Sequence, residues 1–147
     1  MNKRVSSAFS FLIILALLTA CGKKETHIEV SDAWTRATHG EQDVGAAYMT
    51  LTSNTDVTLT SIESSVTEDI EIHSMSMENG VMKMRMLDEL PIKANTPVNL
   101  SPGGFHLMLF DLENPLKVGD QVRFTLHFKD QQGKELTVSA NSEIKEQ

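Results

Sequence analysis

Short β-branched runs separated by turn-forming residues recur along most of this chain and limit the folds it can adopt. No stretch keeps apolar residues at the three- and four-residue spacing of an amphipathic helix, so we predict no long helix. Runs of this length, closed by Gly, Pro, Asn or Asp, are typical of strands joined by tight turns. The runs are HIEV (27–30), VGAAYMTLTS (44–53), VTLTSIES (57–64), EDIEIH (68–73), TPVNL (96–100), FHLMLF (105–110), QVRFTLHF (121–128) and ELTVSA (135–140). We therefore expect an all-β Greek-key sandwich or barrel of seven to nine short strands.

The N-terminal segment has the composition of an export signal. Lys3 and Arg4 precede the apolar run FLIILALL (11–18), which is shorter than the roughly 20 residues needed to cross a bilayer. The sequence LTAC (18–21) then resembles a bacterial lipobox, in which the cysteine sulfur is lipidated and the chain is cut before it. An ordinary signal peptide followed by an incidental cysteine is the alternative, but lipidation explains a lone exported thiol.

These features predict three parts of unequal size. Residues 1–20 are the lipoprotein signal peptide, residues 21–26 are the lipidated Cys21 with a short polar tether, and residues 27–147 form one domain.

The chain has 13 Lys and Arg against 20 Asp and Glu, a net charge of −7. Because binding to phosphates needs clustered cations, we expect no nucleic-acid partner, and we expect contact with a membrane through the lipid only.

The segment HSMSMENGVMKMRM (73–86) concentrates soft side chains around a predicted hairpin turn. It holds five of the eight methionines in the chain. Asn79-Gly80 is a strong hairpin signal because both residues tolerate positive φ. A two-residue loop would pair His73 with Met86, Met75 with Met84 and Met77 with Met82, and would place all six on one face. Such a row is either an adaptable part of the core or a surface that presents sulfur to a ligand.

A second segment repeats the combination of imidazole and thioether. In FHLMLF, Phe105, Leu107 and Leu109 form a core set on one face, so His106 and Met108 share the other face with Phe110. Neutral imidazole and thioether ligands suit Cu(I), whereas zinc prefers thiolate, imidazole and carboxylate, and calcium prefers oxygen. The other histidines have no ligand-type neighbour at useful spacing, and His127 is expected on the surface.

The spacing H-x10-M-x21-H-x-M, from His73 through Met84 and His106 to Met108, resembles the motif of the periplasmic copper chaperone family PCuAC. The resemblance extends to DAWTRA (32–37), GAAYMTL (45–51), LSPGGFHLML (100–109) and PLKVGDQVRFTLHF (115–128), and so covers nearly the whole chain after Cys21. It implies a cupredoxin-like β-sandwich that binds one Cu(I) through His73, Met84, His106 and Met108. The remaining methionines of the hairpin, Met75, Met77, Met82 and Met86, would then form an apolar, sulfur-rich surround.

The resemblance also implies a partner and a location. The family delivers copper to the binuclear copper site of cytochrome c oxidase, often alongside Sco-type chaperones, so we expect a copper acceptor protein as partner and no enzymatic activity. Members are commonly soluble in the periplasm, whereas this chain has a lipobox, which limits the acceptors it can reach. Gly22 follows the cysteine where Asp usually signals inner-membrane retention, which favours the outer membrane over the extracytoplasmic face of the inner membrane.

Other readings of the same residues stay open at this point. A redox copper protein or copper enzyme would need a Cys thiolate or more imidazole than the domain offers. A copper-sequestering lipoprotein would share the metal site but have no dedicated acceptor. A structural lipoprotein would use the methionine hairpin as core or as a docking surface. Trp34 and Arg36 are expected to be a core anchor and a solvated or ion-paired strand residue, with docking of a partner as the alternative.

Overall fold

The computed structural model describes residues 24–146, which form ten β-strands and no helix. The strands are β1 (Ile28–Arg36), β2 (Gly45–Ser53), β3 (Val57–Ser64), β4 (Ile70–Glu78), β5 (Val81–Leu87), β6 (Leu90–Ile92), β7 (Val98–Leu100), β8 (His106–Leu109), β9 (Gln121–Asp130) and β10 (Glu135–Lys145). The described residues contain no helix that is long and apolar enough to cross a membrane. The predicted signal peptide and the predicted lipidation site at Cys21 lie outside the described residues.

All ten strands belong to one curved sheet. Its order is β5-β4-β8-β2-β1-β10-β9-β3-β6, with β7 also paired to β2. The β1–β10 pair is parallel, and the other pairs are antiparallel. Because β3 also approaches β4, the sheet curls until it is nearly closed into a barrel. The predicted all-β, cupredoxin-like fold is confirmed.

The core lies inside the curved sheet and is supplied by alternate residues of the strands. On β9 the predicted alternation is confirmed, since Val122, Phe124, Leu126 and Phe128 are fully buried while His127 is half-buried on the other face beside Glu63. On β8 the buried pair is Leu107 and Leu109, as expected from the sequence. The other fully buried apolar side chains are Ala47, Met49, Leu51, Leu59 and Ile92. The outward face of β4, β8, β2 and β1 remains available for a binding site.

The structure has more strand than the sequence pattern predicted. The three-residue strand β6 contains Pro91 and gave no recognisable run, so ten strands form instead of seven to nine. The last strand also extends beyond the predicted run ELTVSA (135–140), as far as Lys145. Ile144 is buried there because the end of β10 pairs in parallel with the end of β1. Neither feature depends on local periodicity, so the sequence pattern did not reveal it.

A bulge in β1 decides which way the DAWTRA segment faces. Val30 pairs with Leu51, but Trp34 pairs with Tyr48, so one extra residue lies between the two points on β1. Asp32 occupies that position with φ of 50°. Because side chains alternate along a strand, the extra residue moves Trp34 from the inward face to the outward face. The expected core anchor is therefore wrong: Trp34 is half-exposed and stacks on Tyr48 outside the core.

Candidate metal centre

The methionine segment forms the hairpin that its sequence predicts. The turn is made by Asn79 and Gly80, with φ of 52° and 78°. The observed pairs are His73 with Met86, Met75 with Met84 and Met77 with Met82. All six side chains therefore lie on one face of the β4–β5 hairpin, and that face is the outer one, because Ile72 on the opposite face of β4 is buried in the core.

Strand β8 completes the site from the other side of β4. His73 and His106 are directly paired across the two strands, and their ring centroids are 5.7 Å apart with an angle of 49° between the planes. The ring of Phe110 also lies near His73, with 6.2 Å between the ring centroids. The two histidines that the sequence spacing singled out are thus neighbours on one surface.

His73 is held by the carboxylate of Glu71 two positions earlier on the same strand face. Its Nε2 lies 2.6 Å from Glu71 Oε2, so Nε2 carries the proton and donates to the carboxylate. The other ring nitrogen, Nδ1, is buried and has no hydrogen-bond partner among the described residues. Leaving a buried acceptor unpaired is unfavourable, and a bound metal ion would satisfy it. Carboxylates commonly orient metal-binding histidines in this way.

His106 has a comparable arrangement with the backbone as its acceptor. Its Nδ1 donates to the carbonyl oxygen of Gly104 at 3.0 Å, which leaves Nε2 with the free lone pair. The same carbonyl accepts the backbone N–H of Met75 at 3.0 Å, so the turn before β8 is fixed against β4. His106 itself is 5% exposed. In the neutral form of each imidazole, the acceptor therefore fixes the proton on one ring nitrogen and orients the other nitrogen with its lone pair free.

The methionines divide into two groups by position. Met75, Met84 and Met108 line an open groove of about 320 Å³ together with His106. Met77, Met82 and Met86 do not line that groove and are between 55% and 64% exposed. The methionine face is therefore a surface and not part of the core. His73 lies beside His106 and does not itself line the groove.

The far side of the groove is built from β1, β2 and the loop that joins them. Tyr48 is 4% exposed, stacks on Trp34 with ring centroids 4.3 Å apart, and lies 6.5 Å from the His106 ring. The guanidinium carbon of Arg36 is 5.7 Å from the centre of the Tyr48 ring. Burial raises the pKa of the Tyr48 hydroxyl, and the nearby positive charge of Arg36 opposes that rise.

Sequence reasoning placed the imidazole and thioether groups but missed the residues that orient them. Glu71 precedes His73 by two positions on the same strand face, and that spacing was the available signal. The Gly104 carbonyl and Tyr48 gave no comparable signal, because their roles depend on how β8 and β2 pair. Met75 was expected in the surround, and the structure places it in the groove beside Met84. The arrangement offers two neutral nitrogens and several thioethers, which is a donor set for a soft ion of low charge.

Comparison with known proteins gives one matching family model and relatives in sequence. A family model described as "Putative lipoprotein LpqE-like" matches residues 28–141. The chain is 27% identical over 139 residues to "Putative lipoprotein Lxx21020" of Leifsonia xyli, an alignment that covers 86% of this chain and 84% of that protein. It is also 34% identical over 112 residues to protein RP573 of Rickettsia prowazekii, which covers 72% of this chain and 62% of that protein.

Solved structures resemble most of the described domain. The copper-bound PCuAC domain of PmoF2 superposes with a TM-score of 0.60 at 22% identity, covering 80% of this chain and 93% of that one, and supports the fold. The Cu(I) form of DR1885 from Deinococcus radiodurans has a TM-score of 0.59 at 29% identity, covering 80% and 76%. The chain belongs to the LpqE-like lipoprotein family, which is the family of PCuAC domains.

Proposed function

We propose that this protein is an extracytoplasmic copper chaperone, a carrier and not an enzyme, that binds one Cu(I) and passes it to an acceptor protein. The observation that carries the proposal is the His73–His106 pair, whose rings are 5.7 Å apart and whose free nitrogens are set by Glu71 and by the Gly104 carbonyl. Two proteins of the same fold are described as copper-bound or Cu(I)-bound, which supports copper as the ion.

The chemistry of the donors favours Cu(I) over harder ions. Thioether sulfur selects Cu(I), and imidazole completes a site of low charge without carboxylate or thiolate ligands. Methionine does not titrate, so its ligation survives acid. We propose His73, Met84, His106 and Met108 as the ligands, with His73 binding through Nδ1 and His106 through Nε2.

Met84 and Met75 compete for the same role because they pair across β4 and β5 and both line the groove. We assign Met84 as the ligand, following the family spacing, and Met75 as its supporting neighbour. Met77, Met82 and Met86 would extend the sulfur-bearing surface around the site and would not coordinate the ion.

An exposed rim suits transfer better than storage. Met84 is 47% exposed, so an incoming ligand from another protein can approach a bound ion from the side of β5. The copper then moves by ligand exchange, with acceptor ligands replacing thioethers one at a time while the two imidazoles, buried behind them, leave last. The acceptors that fit this proposal are the copper subunit of cytochrome c oxidase and a Sco-type chaperone.

We further propose that a lipid on Cys21 anchors the domain to a membrane and that the groove faces away from that membrane. The residue after the cysteine, Gly22, favours the outer membrane. Lys24 bonds to the Asn54 carbonyl at 3.1 Å, and the Asn54 side chain bonds to the backbone of Glu25 and His27. The first residues that the structure describes are therefore fixed at this end of the barrel. Ser53 is the residue of β2 at this end of the barrel. Ala46, which pairs with Met108 at the groove, lies about 23 Å from Ser53 along the same strand.

The test is a Cu(I) titration against a competing chelator, followed by transfer. Submicromolar, one-to-one Cu(I) binding is expected, together with movement of the ion to a purified acceptor domain. Failure to bind Cu(I) below micromolar concentrations would overturn the metal site. Tight binding without transfer to either acceptor class would overturn the chaperone role and would leave copper sequestration as the function.

A further inference from the structure

We propose that the groove beside the copper ligands is a recognition site for the carboxylate of an acidic segment in the partner protein, and that Arg36 is the anchor of that site. The inference rests on the proposed copper transfer for its biological purpose, but the recognition itself can be measured without metal. The DAWTRA segment, which contains Arg36, has no role in holding copper and is left unexplained by the metal site.

The groove carries positive charge in a protein that is otherwise acidic. The whole chain has a net charge of −7. Arg36 lines the groove, and no aspartate, glutamate or lysine does so among the described residues. Among the described residues, no carboxylate lies within salt-bridge distance of Arg36, so its charge is available to a ligand in the groove. Addition of Cu(I) would raise the charge of the groove further, so an anionic ligand is the complementary one.

Arg36 is held in place for such a ligand. Its guanidinium lies over the ring of Tyr48, which is buried and stacked on Trp34. A cation resting on an aromatic face loses less freedom on binding than a free side chain does. The planar guanidinium matches a carboxylate with two parallel hydrogen bonds, which a lysine cannot reproduce.

The position of Arg36 relative to the metal ligands suggests the form of the ligand. The Tyr48 ring lies between Arg36 and His106. Its centre is 5.7 Å from the Arg36 guanidinium carbon and 6.5 Å from the centre of the His106 ring. A peptide segment in the groove could therefore place a methionine or histidine at the copper and an aspartate or glutamate a few residues away at Arg36. The occupant we infer is such a segment, in which soft ligands are followed by acidic residues.

The experiment uses the single tryptophan of the chain as its reporter, since Trp34 stacks on the Tyr48 ring that supports Arg36. The apo protein and the Cu(I)-loaded protein are titrated with a short peptide carrying two methionines followed by two aspartates, and with the same peptide carrying two asparagines. The aspartate peptide should bind more tightly, and the preference should weaken as salt is raised. Free succinate serves as a third ligand, and weak binding of succinate separates peptide recognition from general carboxylate binding.

Substitutions decide whether Arg36 is responsible. Arg36→Gln should weaken binding of the aspartate peptide by about tenfold to a hundredfold, the range expected for a charge-assisted hydrogen bond, and should leave the asparagine peptide unaffected. Arg36→Lys keeps the charge and the fold and should give an intermediate loss. Arg123→Gln is the matched control, because Arg123 is an exposed arginine on β9 without a carboxylate partner among the described residues.

The Cu(I) affinity of Arg36→Gln, measured separately, should not fall below that of the wild type, because Arg36 is not a proposed ligand and its positive charge does not favour a bound cation. A wild-type protein that binds both peptides equally, or an Arg36→Gln variant that keeps the preference for aspartate, would overturn the proposal. If the wild type failed to bind Cu(I), that result would count against the copper site and not against Arg36. Failure of the copper site and failure of carboxylate recognition are therefore distinguishable.

Discussion

His106 lies directly opposite His73 on the neighbouring strand, and the two rings are 5.7 Å apart although the residues are distant in the sequence. Each ring has one nitrogen fixed by an acceptor, Glu71 for His73 and the Gly104 carbonyl for His106. The pair is therefore oriented before any ion binds. This preorganisation allows the contributions of individual residues to be separated by experiment.

Removal of two proposed ligands from β8 should abolish high-affinity copper binding. The variant His106→Ala, Met108→Ala is expected to bind Cu(I) at least about a hundredfold more weakly than the wild type. This loss should exceed the loss of about tenfold to a hundredfold that follows when only a residue that orients a metal ligand is changed. Competition with a Cu(I) chelator measures the change. If the double variant bound Cu(I) as tightly as the wild type, the ligand assignment would be wrong.

The Glu71 carboxylate should matter although it is not a proposed ligand. Glu71→Gln weakens the hydrogen bond that fixes the proton on His73 Nε2, and we expect the Cu(I) affinity to fall by about tenfold to a hundredfold. Glu63→Gln is the matched control, because Glu63 contacts Nε2 of His127 at 3.2 Å on another part of the surface. Equal losses in both variants would show a general charge effect in place of an orienting one.

Two methionines of β5 should differ in their effect on copper. Met84 lines the groove, whereas Met82 on the same strand face does not. We expect Met84→Ala to lower the Cu(I) affinity by about tenfold or more, and Met82→Ala to leave it nearly unchanged. Chelator competition with both variants and with Met75→Ala checks this. A larger loss in Met75→Ala than in Met84→Ala would transfer the ligand role to Met75.

Leu107 should support the site through the core. It lies between His106 and Met108 on β8 and is fully buried on the inner face. Leu107→Ala is expected to lower the free energy of unfolding by about 2–5 kcal/mol, because it leaves a cavity in the core. Urea denaturation measures the change. Met82→Ala, on the exposed face, should stay within about 0.5 kcal/mol of the wild type, and a similar loss there would contradict the surface position of the methionine row.

Asp56 should make the free energy of unfolding depend on pH. The Lys93 ammonium and then the Ala94 backbone N–H bond to its carboxylate, which lowers its pKa below the ordinary value of 3.8. A lowered pKa in the folded state stabilises the protein above the unfolded pKa, and the contribution disappears as the pH falls through the folded pKa. Asp56→Asn should therefore be less stable than the wild type in urea at pH 7, and the difference should shrink at pH 3. Asp88→Asn, an exposed acid, should show no such difference at either pH.

Local periodicity accounts for much of what could be predicted. The alternation of apolar and polar residues gave the all-β fold, the buried face of β9 and the division of β8 into a core face and an imidazole–thioether face. Asn79-Gly80 fixed the hairpin register, because only residues that tolerate positive φ make that two-residue turn. The H-x10-M-x21-H-x-M spacing added the expected copper ligands by resemblance, which periodicity alone did not provide.

The sequence by itself therefore determined which residues share a face within each strand, since that depends only on the two-residue repeat of an extended chain. The tertiary structure decided which strands are neighbours, because strand pairing closes long loops and depends on burial of the whole core. It brought His73 beside His106 and left the methionine row on the surface, although that row could equally have been core. It also extended β10 beyond the predicted run, with Ile144 buried in the core. The bulge at Asp32 also turned Trp34 outward, and with it placed Arg36 at the groove.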